Sequence, residues 1–210
     1  YYGTSVISDS YQMALSISMI IIGIVLYSYQ AFTKGFFISQ KNNRENQYTS
    51  SFINFIAIIL LMLTSLIILM PNTIVKLFAP GFNNLQTLYT YQFLIPIVLG
   101  TCFLVISNIL CEYLRCKESY VMPQLCYLVI NIVEILTIYL AFYINYMWLA
   151  YGYLFANLIY FIILLLIAIR KKYKYSIKIS KVDFLNFYTI LIPVFISSII
   201  TDLNSMIDKI

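Results

Sequence analysis

Three stretches of this sequence contain no charged residue: Asn46 to Val75, Leu77 to Cys111, and Ile135 to Ile169. Few architectures tolerate such runs. About 20 apolar residues cross the hydrocarbon core of a bilayer as a helix, and each run is long enough to hold one. In lipid every backbone N–H and C=O needs a partner inside the protein, which a helix supplies within its own segment. The composition agrees. Of the 210 residues 62% are hydrophobic and 10% charged, against about 25% charged in a soluble domain. The chain reads as an all-α, polytopic integral membrane protein.

Apolar length and turn residues place six spans near 9–33, 51–75, 87–111, 121–143, 146–169 and 184–207. The two longer connections, near 34–50 and 170–183, are both basic. Lys34, Lys41 and Arg44 fall in the first connection, and Arg115 and Lys117 in the third. Arg170, Lys171, Lys172, Lys174, Lys178 and Lys181 fall in the fifth. Eleven of the thirteen basic residues thus sit on alternate connections. Cationic loops are retained on the cytoplasmic side, so the odd connections are expected there. A nucleic-acid surface would not alternate with spans in this way, so no such partner is expected.

The sequence LFAPGF, residues 77–82, then lies at the outer end of the second span. Proline followed by glycine predicts a type II turn with Gly81 at positive φ, and Pro80 pushes Ala79 out of the helical region. Phe78 and Phe82 suit the headgroup level, where aromatic belts form. Tyr143, Tyr146 and Trp148 suit it at the other outer connection.

Polar residues recur at helical spacing inside four spans: Asp9, Gln12, Ser16 and Gly23; Thr101, Asn108 and Glu112; Tyr127, Asn131, Glu134 and Thr137; Ser197, Thr201, Asn204 and Asp208. Asp202 and Ser205 occupy a strip beside the last set. Each set shares one helix face. Two readings stay open for the hydroxyls and amides: lining a hydrated cavity, or bonding helix to helix. Glu134 is different, because it falls near mid-span with no basic residue in its helix. Ionisable groups at that depth are functional candidates by default. Asp9, Gln12, Asn108, Asn131 and Glu134 are therefore the candidate cavity residues. Asp202, Asn204 and Asp208 offer oxygen ligands for a coupling monovalent cation, sodium or a proton being the candidates.

Other chemistry finds little support. There is no histidine, which removes imidazole ligands and the commonest general base. Cys102, Cys111, Cys116 and Cys126 lie in or beside apolar segments without a CxxC pair, and read as small hydrophobes rather than metal ligands. No GxSxG, HExxH or P-loop occurs, so neither an enzyme, a bound metal nor a cofactor is expected. The chain opens on YYGTS without a signal-peptide pattern and closes on Asp208-Lys209-Ile210 within a helical pattern. It is expected to be a fragment of a longer protein.

Several words, in order, resemble the MurJ/MviN lipid II flippases, within the superfamily of multidrug and oligosaccharidyl-lipid exporters. YYGTSVISDSYQMA is similar to the stretch leading into the family's second helix, with Asp9 in the acidic position. LFAPGF stands in the place of the family's APGF. ISNILCEYLRCKESYVMPQLCYLVIN resembles its helix four–five passage, and IPVFISSIITDLNSMIDKI its seventh helix, with Asn204 and Asp208 as the N-x-x-x-D pair. The resemblance implies fourteen helices in two lobes, alternating access, and export of a polyprenyl-diphosphate-linked glycan across the bacterial cytoplasmic membrane. Its partners would be that lipid-linked substrate and the membrane lipids. Residues 1–169 would be the amino-terminal lobe without its first helix, 170–183 a basic cytoplasmic linker, and 184–210 the truncated first helix of the second lobe. One departure is notable. The family carries arginines and then a glutamate in its second helix, where this chain has Tyr29, Gln30 and Lys34. A flippase for another undecaprenyl-linked surface polysaccharide, or a cation-coupled multidrug antiporter, is therefore the alternative.

Overall fold

The computed structural model describes residues 6–26 and 28–177, with single positions at 187, 193 and 196. Asp202, Asn204 and Asp208 of the last expected span lie outside the described residues. Seven helices occur among those described: α1 (Val6–Leu26), α2 (Tyr29–Gln40), α3 (Glu45–Leu69), α4 (Pro71–Phe78), α5 (Asn84–Cys116), α6 (Val121–Tyr143) and α7 (Trp148–Arg170). α3, α5, α6 and α7 are each long and apolar enough to cross a membrane.

Four expectations need correction. The first span is not continuous over 9–33. α1 ends at Leu26 and α2 begins at Tyr29 and runs on to Gln40, so Lys34 stands on a helix. The long connection expected over 34–50 shrinks to residues 41–44. Its second half, which reads as polar, is the first turns of α3. The second span ends at Leu69, and Met70 turns out of helical geometry (φ −129°, ψ 46°) ahead of Pro71, which opens α4. Proline suits a first helical position because its missing N–H would have no intrahelical partner there. Finally, the LFAPGF turn is not type II. Phe82 N–H donates to the Ala79 carbonyl at 3.1 Å, but Gly81 does not take a positive φ. Ala79 does leave the helical region, at φ −135° and ψ 66°.

α5 is the central helix, packed along its length against α1 and α7, while α6 lies outside and packs on α7. Its start is fixed by a reciprocal cap in which the Asn83 side chain accepts from Gln86 N–H at 2.8 Å and Gln86 Oε1 accepts from Asn83 N–H at 3.1 Å. Between membrane helices lipid gives no hydrophobic drive, so close packing of small residues does the work. Gly100 admits the Tyr153 ring, and Gly152 admits Thr137.

The two ends of the bundle differ. At one end Ser10 Oγ donates to the Gln86 carbonyl at 3.2 Å and the Tyr146 hydroxyl to Gln92 Oε1 at 3.2 Å. At the other end the three basic connections come together. Lys117 Nζ reaches Glu45 Oε1 at 3.2 Å, the Tyr113 hydroxyl donates to Asn46 Oδ1 at 3.2 Å, and Asn46 Nδ2 donates to the Lys172 carbonyl at 3.1 Å. Three helices stop here in the same way. Asn43 (φ 54°), Glu118 (φ 59°) and Lys172 (φ 67°) take left-handed backbone. The N–H after each bonds back to Ser39 at 3.0 Å, Leu114 at 2.9 Å and Ala168 at 3.0 Å. This Schellman closure satisfies the last carbonyls of α2, α5 and α7. Beyond α7 the chain runs along α3, where Tyr173 is buried against Ser50 at 3.2 Å. Burial pushes the Tyr173 phenol above its ordinary range, so it stays protonated in that bond.

Candidate functional site

A buried polar network crosses the middle of the bundle. Thr101 on α5 is fully buried and lies 2.8 Å from the Ser18 hydroxyl on α1 and 3.4 Å from the Tyr153 hydroxyl on α7. Its own hydroxyl also donates to the Ile97 carbonyl at 2.9 Å. One turn along α7, Asn157 Nδ2 donates to the Tyr153 carbonyl at 2.8 Å. Each hydroxyl thus has a partner in a place where an unpaired one would be costly. Thr101 accordingly follows the helix-bonding reading of its sequence pattern.

Glu134 on α6 stands at the edge of this network. It is half-buried and lies within electrostatic reach of the phenols of Tyr11 on α1 and Tyr153 on α7. The position follows from the α6–α7 crossing. Thr137 is held against Gly152, and its hydroxyl donates to the Glu134 carbonyl at 3.0 Å, fixing the register of that turn. The polar strip of α6 turns gradually outward from there. Asn131 and Tyr127 are exposed, the Tyr127 ring meeting Tyr160 edge-on at 5.9 Å.

The other candidates are dispersed. Asp9 and Gln12 occupy the exposed face of α1, where Ser16 bonds back to the Gln12 carbonyl at 2.9 Å. Ser10 and Ser18 are buried instead. Asn108 is half-buried on α5, two turns beyond Thr101 on the same face, and Glu112 is tied to Arg115 at 2.5 Å. Among the described residues the groups that interact with Glu134 are Tyr11, Tyr153 and, through its backbone carbonyl, Thr137, of which only Thr137 belongs to an expected polar set. A signal for Tyr153 exists in the spacing of Tyr153, Asn157 and Tyr160 along α7. Among the described residues no group of three or more His, Cys, Asp or Glu side chains is placed to hold a metal, and all four cysteines are free.

The family described as "Lipid II flippase MurJ" matches residues 1–210. Among solved structures, one titled "Lipid II flippase MurJ, inward closed conformation" superposes with a TM-score of 0.80 at 21% identity, over 99% of this chain and 44% of that one. The chain thus spans less than half the length of that solved relative, and at this identity the likeness speaks for the fold. A comparison with curated proteins finds no match. With the family pattern running through every helix described above, the chain belongs to the MurJ lipid II flippase family.

Proposed function

We propose that the full-length protein is a transporter, not an enzyme, and moves a polyprenyl-diphosphate-linked glycan of the lipid II kind from the cytoplasmic to the outer leaflet. It works by alternating access in the bacterial cytoplasmic membrane and makes or breaks no covalent bond. The observation that carries this reading is the family match over the whole chain, joined to an α-helical lobe with a half-buried carboxylate among tyrosines. In this reading residues 1–169 form most of one lobe, the basic connections face the cytoplasm, and residues 170–183 link to the second lobe. Glu134, Asn131, Asn108, Gln12 and Asp9 contribute polar groups to the central cavity. Asp202, Asn204 and Asp208 serve the coupling cation.

A second reading is favoured by one observation. Tyr29, Gln30 and Lys34 stand where arginines and a glutamate would be expected, and arginine is the natural bidentate partner of a diphosphate. Another undecaprenyl-linked surface glycan is then the cargo. The test is flipping of fluorescent lipid II by the full-length protein in proteoliposomes, with Glu134→Gln beside the parent. Glutamine keeps the shape and most hydrogen bonds but cannot ionise. Normal membrane abundance with lost or pH-insensitive flipping is expected. Full activity with an unchanged pH profile would make Glu134 structural, and a parent that ignores lipid II would favour the second cargo.

A further inference from the structure

At the basic end of the bundle, away from Glu134, a groove of about 470 Å³ opens between α3, α5 and α7. Its walls are apolar, formed by Ile53 and Ala57 of α3, Ile106 and Leu110 of α5, and Phe161 and Leu165 of α7. The volume falls within the roughly 300–1,000 Å³ typical of ligand sites. A polar solute would find little to hold there. Asn54 and Tyr175 at the rim are already bonded to each other, the Tyr175 hydroxyl donating to Asn54 Oδ1 at 2.5 Å. In a membrane the natural occupant of such a slot is a hydrocarbon chain.

Charge distinguishes this groove from an ordinary lipid-facing surface. Arg170, Lys171, Lys172 and Lys174 follow directly from the groove-lining end of α7. All are exposed, and none is ion-paired among the described residues. They are also held in place. α3 presents Asn46, Ser50 and Asn54 at four-residue spacing, one above another on its face. Asn46 Nδ2 donates to the Lys172 carbonyl at 3.1 Å, Ser176 N–H donates to Ser50 Oγ at 3.1 Å, and Asn54 Nδ2 donates to the Ser176 carbonyl at 3.0 Å. The backbone of this cationic segment is thereby pinned beside the mouth of the groove, with its lysine side chains left free to meet an anion.

We propose that the groove binds an anionic diacyl phospholipid of the adjacent leaflet, one acyl chain lying between α3, α5 and α7 and the phosphate meeting the cations of residues 170–174. Clusters of Lys and Arg beside membrane helices attract anionic headgroups in this way. The site is separate from the one proposed for the transported lipid.

The test uses the full-length protein with Ile169→Trp at the groove mouth, in nanodiscs of phosphatidylcholine. Brominated phosphatidylglycerol or brominated phosphatidylcholine is added at equal mole fraction, and quenching is read as the difference from the parent protein. Leu165→Trp, within the groove wall, serves as a second probe. Phosphatidylglycerol is expected to quench more strongly, and Lys171→Gln, Lys172→Gln and Lys174→Gln to reduce that preference by about fivefold for each lysine. Ala57→Phe, which fills the groove, should remove the quenching while leaving the charges intact. Equal quenching by the two lipids, a preference that survives the lysine replacements, or quenching that survives Ala57→Phe would overturn the proposal. Transport does not enter this readout, so failure of the flippase reading and failure of the lipid site are separately visible.

Discussion

Replacing Gly152 with alanine is expected to loosen α6 from the rest of the bundle. A Cβ at this point of α7 would collide with Oγ1, Cβ and Cγ2 of Thr137 on α6. Thr137 has little freedom to yield, being 7% exposed and bonded to the Glu134 carbonyl at 3.0 Å. Rotating its side chain would relieve Oγ1 and Cγ2, but Cβ is fixed to the backbone and remains in the way. The helices must then separate, and among the described residues α6 has no comparable contact with another helix to hold it. Overpacking of this kind costs about 1–3 kcal/mol. Thr137→Gly removes the obstructing Cβ, at the cost of about 0.5–1 kcal/mol for glycine within a helix. The double variant should therefore be more stable than the sum of the two single changes, by a coupling of about 0.5–3 kcal/mol. Thermal unfolding of the detergent-solubilised full-length protein measures all four corners of the cycle. Flipping should fall and recover in step, because α6 carries Glu134. A Gly152→Ala protein as stable as the parent, or a strictly additive double variant, would refute the packing argument.

Thr101→Val keeps the side-chain shape but removes the bonds to Ser18 at 2.8 Å and Tyr153 at 3.4 Å. Intramembrane side-chain bonds average about 0.6 kcal/mol, so thermal unfolding should report a loss of about 1 kcal/mol, and an unchanged transition would discount the network. Glu118 holds a left-handed φ of 59°, which disfavours any residue with a Cβ by about 1–2 kcal/mol. Glu118→Gly should raise the unfolding temperature, and a lower one would contradict the cap. In a background without the four native cysteines, Lys41→Cys and Lys174→Cys should resist an impermeant thiol reagent in intact cells while Asn84→Cys reacts. Labelling at the lysine sites would invert the proposed topology.

How much of this was legible in the sequence depended on what each signal measures. Apolar length and turn residues located α6 over Val121–Tyr143 as expected and α7 within two residues, because little else defines them. Hydropathy failed where helices leave the apolar stretch. Residues 45–50 read as a polar connection, yet they open α3, with Asn46 and Ser50 facing the chain that follows α7. The division between α1 and α2 carries no proline or glycine at residues 27 and 28 to announce it. α2 continues past Lys34 because Phe32 and Phe36 are buried, with Phe32 meeting Tyr48 and Phe52 at 5.6 and 5.5 Å. Such support is tertiary and leaves only a weak local pattern. At the candidate site, a lone carboxylate in a span identifies itself, so Glu134 was visible. Tyr11 and Tyr153 were missed: Tyr153 shares a spacing signal with Asn157 and Tyr160, but the partner of a tyrosine hydroxyl is fixed only when the helices pack.

The exposed polar strips carry a further constraint. Asp9, Gln12 and Ser16 on α1 and Tyr127 and Asn131 on α6 are all exposed in this chain, yet a carboxylate or an amide facing acyl chains is unfavourable by several kcal/mol. The rest of α6 makes the contrast plain. Leu128, Ile132, Ile135 and Leu136 are also exposed, and they form the surface that lipid can cover. A helix with one apolar and one polar exposed face, packed among the described residues mainly on α7, lies between two different media. One medium is the bilayer. The other must supply hydrogen bonds, as a hydrated space does. In the proposed two-lobe transporter the polar strips of α1 and α6 would mark the side on which the second lobe closes, and Glu134, between that side and Tyr11 and Tyr153, would sit where a change of access changes its solvation.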